Sequence, residues 1–236
     1  NPKGVVKMNN NIKKVACVGA GLIGQGWATL FAAAGYAVTL QDVSDAKLKG
    51  AIDQVSLNLR LLEDNGRLYH GTAAGAAKNI RTTLSLLEAV KGVDFVLESV
   101  PDNYATKKTV FKEMDALAPG DTILASSSSG LLMSEIQTAV TRPGRCVLVH
   151  PFLPVHLLPL VEVVGGDQTA PETVDITCRL MEKIGKTPVR LKKEVSGYIV
   201  NRLQAAILRE AVDLVANGVA SAEEVDRAFC TGMGMR

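Results

Sequence analysis

Residues 15–42 read VACVGAGLIGQGWATLFAAAGYAVTLQD, and the fold follows from them. An apolar run of strand type over 15–18 meets Gly19, Gly21 and Gly24 in G-x-G-x-x-G spacing. It then continues, through Leu22 and Ile23, into a helix over 22–34 that Gly35 closes. The first glycine permits a tight turn, the second lets a pyrophosphate approach the backbone, and the third lets the helix pack on the strand. The phosphate charge would lie at the helix N-terminus, where unpaired N–H groups and the helix dipole favour an anion. A second strand over 37–40 leads to Asp42. A carboxylate there accepts hydrogen bonds from an adenosine ribose and repels a 2′-phosphate, so NAD is expected over NADP. The alternative is a glycine-rich turn in an ordinary α/β unit; strand, glycines, helix, second strand and acid standing in order favour the dinucleotide cradle.

At 236 residues the chain has room for one full α/β domain and part of a second. Apolar residues make up 47% and the formal net charge is +2, which argues against both a disordered chain and the basic footprint of a nucleic-acid binder. A small-molecule partner is expected instead. Cys17, Cys146, Cys178 and Cys230 stand far apart with no C-x-x-C pair, and read as reduced, buried thiols of a cytoplasmic protein. The apolar stretch of the first helix is too short and too glycine-bounded to span a bilayer. The first eleven residues, NPKGVVKMNNN, are polar, read as a leader partly of vector origin, and are set aside in reasoning about the fold.

After Asp42, Ser44 and Asp45 offer helix caps, and Leu48, Ile52, Val55, Leu59 and Leu62 recur at helical spacing over 46–66. That length exceeds a simple crossover and predicts a helical hairpin, broken near Asn65 and Gly66 and resuming toward Lys78. Strands are expected over 80–82, 94–99, 122–125 and 145–149. Between them come helices over 85–90, over 105–117 (opened by Pro101 and Asp102) and over 131–139. A proline-rich loop leads to a strand over 160–164; a helix over 171–184 and a strand over 187–191 close the domain. The whole reads as a doubly wound, Rossmann-type, mostly parallel sheet with a helical hairpin insertion, covering 12–193. From 194 the pattern turns helical, over 197–217 and again from a capping box at Ser221 and Glu224, so 194–236 is expected to be the start of an all-α C-terminal domain.

In open α/β folds ligands bind at the carboxyl edge of the sheet. His150 ends a strand there, close to neutrality in its ordinary pKa, and suits removal of an alcohol proton during hydride transfer. Glu162 follows on the next strand, and the intervening loop could fold back to set its carboxylate beside the imidazole. Such a pair fixes the tautomer and stabilises the imidazolium. A structural histidine and a solvent-facing glutamate remain equally open from spacing alone. The run Ser126, Ser127, Ser128 and Ser129 is either a polar turn or a set of exposed hydroxyls for substrate or nicotinamide. Asn201 is either a substrate donor or a helix-surface residue without a role. His70 is expected in a solvated turn and His156 in the proline-rich loop, and three histidines with scattered cysteines form no metal site.

Several separated motifs resemble the NAD-dependent L-3-hydroxyacyl-CoA dehydrogenase superfamily. VGAGLIG is widespread; more specific are LESVPDNYATKKTVF, DTILASSSSGL, HPFLPVHLLPLVEVVGG and VSGYIVNRL, in that family's order and near its spacings. The resemblance implies that His150 is the catalytic histidine, Glu162 its partner, Ser129 a substrate contact and Asn201 the asparagine of the N-R-L motif. It further implies that Asp42 binds the ribose and that Glu98, Asp102, Lys107 and Ser127 fall in segments lining the cofactor site. His150 would take the hydroxyl proton as hydride leaves the 3-carbon for NAD, giving a 3-keto product.

Two departures bear on the substrate. Leu153 stands where members commonly carry the Asn of H-x-F-N-P, and SSSSGLL replaces S-N-T-S-S. Leu153 loses an amide that could hydrogen-bond in the site, and SSSSGLL followed by HPFxPVxLLPLVEVVGG looks more like the branch acting on small free hydroxy acids, which contains L-carnitine 3-dehydrogenase and the L-gulonate 3-dehydrogenase related to lambda-crystallin. The insertion over 45–78 has few clustered lysines to grip a CoA phosphate. A 3-hydroxyacyl-CoA substrate is the alternative, and a non-catalytic, crystallin-like NAD binder is the alternative of another class. The family's helical domain continues past a G-x-G-x-R motif like that at 232–236, closes the substrate cleft and pairs subunits. The chain is therefore expected to bind NAD, to turn over poorly without that remainder, and to form a homodimer through it.

Overall fold

The computed structural model describes residues 11–68 and 71–235; the first ten residues, His70 and the last residue of the 232–236 motif lie outside them. In chain order the elements are β1 (Lys14–Val18), α1 (Leu22–Ala33), β2 (Ala37–Gln41), α2 (Asp45–Asp64), α3 (Ala73–Ala77), β3 (Ile80–Thr83), α4 (Leu86–Val90), β4 (Phe95–Glu98), α5 (Tyr104–Leu117), β5 (Ile123–Ser126), α6 (Met133–Ile136), β6 (Cys146–Pro151), β7 (Leu160–Val164), α7 (Pro171–Lys183) and β8 (Thr187–Arg190). After these come α8 (Val200–Ala216) and α9 (Ala222–Thr231). The chain divides between Ser196 and Gly197 into two compact units.

The first unit is an eight-stranded sheet in the order β3-β2-β1-β4-β5-β6-β7-β8. Neighbouring strands run parallel except at β6 and β7, which pair antiparallel. Side chains alternate between the faces of each strand. Val15, Cys17, Val38, Leu40, Phe95, Leu97, Val147 and Val149 therefore enter one core with Trp27, Phe31, Leu59 and Leu180 from α1, α2 and α7. The other face carries α4, α5 and α6, with Phe111 and Met114 fully buried. A parallel sheet covered on both faces explains why its strands read as continuous apolar runs. The strand order reverses between β1 and β4, and the loops after these two strands open the crevice in which such folds bind ligands.

Several expectations need correction in detail. The insertion is a twenty-residue α2 followed by a five-residue α3. Asn103 caps α5, its side chain accepting from the Thr106 N–H, so neither Pro101 nor Asp102 opens that helix. The stretch 131–139 is one α-turn followed by a 3-10 turn. In the second unit α8 begins at Val200 because Gly197 (φ 77°) and Tyr198 (φ 48°) are left-handed, a conformation that cannot continue a right-handed helix. Neither α8 nor α9 contains a buried residue, and Ser221 caps α9 by accepting from the Glu224 N–H. Cys17 and Cys146 are buried, and burial pushes each thiol up to about 12; Cys178 is only half-buried and Cys230 is exposed. No helix among the described residues is long and apolar enough to cross a membrane.

Candidate active site

The glycine turn is built by backbone contact. Gly19 takes a φ of 98° and donates to the Gln41 carbonyl at 2.8 Å, and a Cβ on it would stand 2.7 Å from the Ser99 carbonyl oxygen. A Cβ on Gly24 would stand only 1.8 Å from the Gly19 oxygen, so the third glycine is required for α1 to leave the turn at all. Gly21 differs: a Cβ there meets nothing within 4 Å. That open space faces the start of α1, which has no side-chain cap and no acid in its first turn, so its N–H groups and dipole are left for an anion. Leu22 and Val43 are exposed beside the turn, whereas Ile23 packs against the core. Asp42 is 8% exposed; one carboxylate oxygen accepts from the Ala20 N–H at 3.0 Å and the other from the Ser44 N–H at 3.1 Å. The aspartate thus orders the turn itself, and each oxygen keeps a lone pair for a ribose hydroxyl. An open cradle at Gly21 beside an acid at the end of β2 fits a dinucleotide without a 2′-phosphate.

Across the strand-order reversal the loop after β4 is held by a buried ion pair. Glu98 accepts from Lys107 Nζ at 2.7 and 3.0 Å, from Ser126 Oγ at 2.7 Å and from the Val100 N–H at 2.6 Å. Glu98 is 0% and Lys107 1% exposed, so both act through the loop they hold. Lys107→Met leaves that carboxylate buried without its cation, which costs roughly 3–5 kcal/mol. A matching fall in the urea midpoint, with the glycine turn untouched, is the expected result. Asp102, beyond the loop, accepts from both the N–H (3.1 Å) and Oγ (2.9 Å) of Ser129. Burial raises its carboxyl, but hydrogen bonds from Ser128 and Ser129, with the Lys107 charge behind them, outweigh that and hold it below the ordinary value.

The serine run is not an exposed hydroxyl patch. Ser126, Ser127 and Ser128 are buried and only Ser129 is exposed. Ser127 Oγ accepts from Trp27 Nε1 at 3.0 Å and is linked to Ser99 Oγ at 3.2 Å, which joins helix α1 to the ends of β4 and β5.

His150 and Glu162 lie directly opposite each other in the antiparallel register of β6 and β7. Opposed residues on one face have Cβ atoms close enough to touch, and Nδ1 stands 2.8 Å from Glu162 Oε2. Residue exposures of 5% and 1% take the pair out of bulk water. The Phe152 ring packs on the imidazole at a centroid distance of 4.7 Å. A carboxylate only accepts, so Nδ1 carries hydrogen toward it and Nε2 is the nitrogen able to take a proton. The contact comes from strand register rather than from a folded-back loop.

Asn201 lies in the first turn of α8, in the second unit. His156 is in the β6–β7 loop, held below its ordinary pKa by burial and then by Lys186. Among the described residues no three His, Cys, Asp or Glu converge as a metal site. Sequence reading passed over Trp27, Ser99 and Lys186. The single tryptophan, three residues beyond the last glycine of the turn, was the one available signal.

A glycine cradle and an acid at the end of β2 have the form of a dinucleotide-binding fold, and a buried His–Glu pair lies at the same sheet edge. Residues 14–195 match the model of the 3-hydroxyacyl-CoA dehydrogenase NAD binding domain, and 197–236 match that of the same family's C-terminal domain. The chain is 43% identical to an L-carnitine dehydrogenase of Streptomyces griseus over 96% of its own length and 66% of the relative's. It is 39% identical to lambda-crystallin of Oryctolagus cuniculus over 94% of the chain and 70% of that protein. A solved 5-formyl-3-hydroxy-2-methylpyridine 4-carboxylic acid 5-dehydrogenase, described as an NAD+-dependent dismutase, superposes with a TM-score of 0.87 at 36% identity, covering 95% of this chain and 72% of that one. The chain belongs to the 3-hydroxyacyl-CoA dehydrogenase family of NAD-dependent oxidoreductases acting on CH–OH groups.

Proposed function

We propose that His150 and Glu162 are the acid–base pair for oxidation of an L-3-hydroxy acid to its 3-keto product, a small free acid of the carnitine or gulonate kind. The observation that carries this is the 2.8 Å contact of the buried pair at the carboxyl edge of the sheet. NAD, when bound, takes the hydride from the substrate's 3-carbon. His150 Nε2 receives the hydroxyl proton; Glu162 holds the ring's orientation and stabilises the imidazolium. Ser129, held by Asp102, is the proposed contact to the substrate oxygen, and Asn201 is the fourth substrate residue, resting on the N-R-L motif alone. Gly19, Gly21, Leu22, Ile23 and Gly24 form the pyrophosphate turn, Asp42 takes the ribose, and Ser127 lies on the nicotinamide side. Glu98 and Lys107 serve the cofactor by fixing the loop that ends at Asp102.

Leu153, 53% exposed where family members commonly have a polar amide, is the feature that favours the non-catalytic alternative, and the buried His150–Glu162 pair is the one against it. The proposed division into a cofactor domain over 12–193 and a helical substrate and dimerisation domain from 194 draws support from the exposed apolar stripe of α8, including Leu203, Ile207, Leu208 and Val212. A cytoplasmic homodimer is the proposed form. Full-length protein supplied with NAD and L-carnitine, L-gulonate or 3-hydroxybutyryl-CoA, followed by NADH absorbance, tests the substrate. Turnover of a free acid with the higher kcat/KM is expected. Preference for the thioester would overturn the substrate class, and silence on all three would favour a non-catalytic NAD binder.

A further inference from the structure

We infer that Lys186 is a positioning residue for the reaction, its buried ammonium tying the loop between the two catalytic strands to the cofactor-side helix. The inference rests on the assignment of His150 and Glu162 to proton transfer. Lys186 follows Gly185, whose φ of 80° ends α7 and turns the chain toward the interior. It is 6% exposed, yet no carboxylate pairs with it among the described residues. Its Nζ donates instead to the carbonyls of Val155 and Leu158, the latter at 2.6 Å, and stands 5.3 Å from the centre of the Trp27 ring. An ammonium taken out of water and left without an anion is costly, and a group retained at such cost needs an account beyond packing.

Its contacts supply one. Val155 and Leu158 belong to the loop 152–159, which begins two residues after His150 and ends three before Glu162. The same Val155 sits 2.6 Å from where a Cβ on Gly26 would be, so the loop docks directly on α1 beside Trp27. Trp27 in turn donates to Ser127 at the end of β5. One cation therefore joins three parts: the His–Glu hairpin, the helix that leaves the glycine turn, and, through Trp27, the buried serine just after β5. The cation–π contact with Trp27 is strongest when the ring and the charge are both desolvated.

The charged and titratable groups that share its small cavity are His156 from the loop and Arg67 beyond α2, with no acid among the described lining residues. Burial pushes the Lys186 ammonium down to about 8. The charge on Nζ is therefore full below that pH and lost above it, and His156 titrates on the acid side of its own ordinary value.

Trp27 is the only tryptophan among these 236 residues and stands beside the ammonium, so its own emission reports that charge. In full-length protein we expect the part of the emission that Trp27→Phe removes to show an inflection near pH 8, absent in Lys186→Met and Lys186→Arg. Lys186→Met is expected to lower kcat by about 10- to 100-fold through misplacement of the loop, with KM for NAD little changed. Lys186→Arg, which keeps charge and donors, is expected to restore part of that kcat. If Lys186→Met does not fold, Lys186→Gln carries the comparison, with the same fall in kcat expected and partial recovery in Lys186→Arg. Wild-type kcat in Lys186→Met, or a kcat in Lys186→Arg no higher than in Lys186→Met, would overturn the inference. His150→Ala serves as the control: it keeps the inflection and loses turnover, so failure of the proton-transfer assignment is read separately.

Discussion

Replacing His150 with alanine in the full-length protein is expected to lower kcat by roughly 10²- to 10⁴-fold, the contribution of a positioned general base. NAD affinity is expected to stay close to wild type, because the two functions sit on different elements. The cofactor turn is made by β1, α1 and β2, whereas the imidazole is held by β6 and β7. The interaction lost is one made to the moving proton, so kcat and kcat/KM fall together while KM changes little. Steady-state rates by NADH absorbance and a direct NAD titration measure both halves. Unchanged turnover in the variant would remove the histidine from the chemistry, and a collapse of NAD binding would show that the change had disturbed the fold.

The second large effect separates two glycines that a motif treats alike. Gly24→Ala brings a Cβ to within 1.8 Å of the Gly19 carbonyl, and both partners are backbone, so neither can yield without moving the turn. Overpacking of this kind costs about 1–3 kcal/mol or more, and loss of NAD binding together with a lower melting temperature is expected. Gly21→Ala meets nothing within 4 Å, and its φ of −72° with ψ of −174° is open to alanine. Its melting temperature should match wild type. Its NAD affinity should nonetheless fall, by about tenfold for each 1.4 kcal/mol lost, because the methyl occupies the space proposed for the pyrophosphate. A Gly21→Ala protein that binds NAD like wild type would show that the open space at this glycine is not the cradle.

The strand, glycine turn, helix, second strand and acid of 15–42 were legible because each follows from local spacing. So were His150 and Glu162 as residue types at strand positions. Their contact was not, because it depends on β7 running against β6 in a register that sets 150 opposite 162; sequence spacing alone suggested a folded-back loop. The serine run was misread for a similar reason. Four consecutive hydroxyls look like a polar turn, yet Ser126 is consumed by Glu98 and Ser127 by Trp27 and Ser99, contacts 28 and 100 residues apart in the chain. Glu98 and Lys107 carried no sign of pairing in the sequence, because their burial as an ion pair depends on how α5 packs against the loop after β4. Lys186 left no mark at all, since a Gly-Lys dipeptide before a short strand reads as an ordinary surface turn.

The reaction and the pair that would serve it meet in one measurement, a crystal structure of the full-length protein with NAD and a 3-hydroxy acid bound. The expected complex has the substrate hydroxyl within about 2.6–3.2 Å of His150 Nε2, with the nicotinamide against the 3-carbon and Glu162 still on Nδ1. A substrate hydroxyl directed away from the imidazole, with the nicotinamide reaching the 3-carbon from elsewhere, would contradict the assignment.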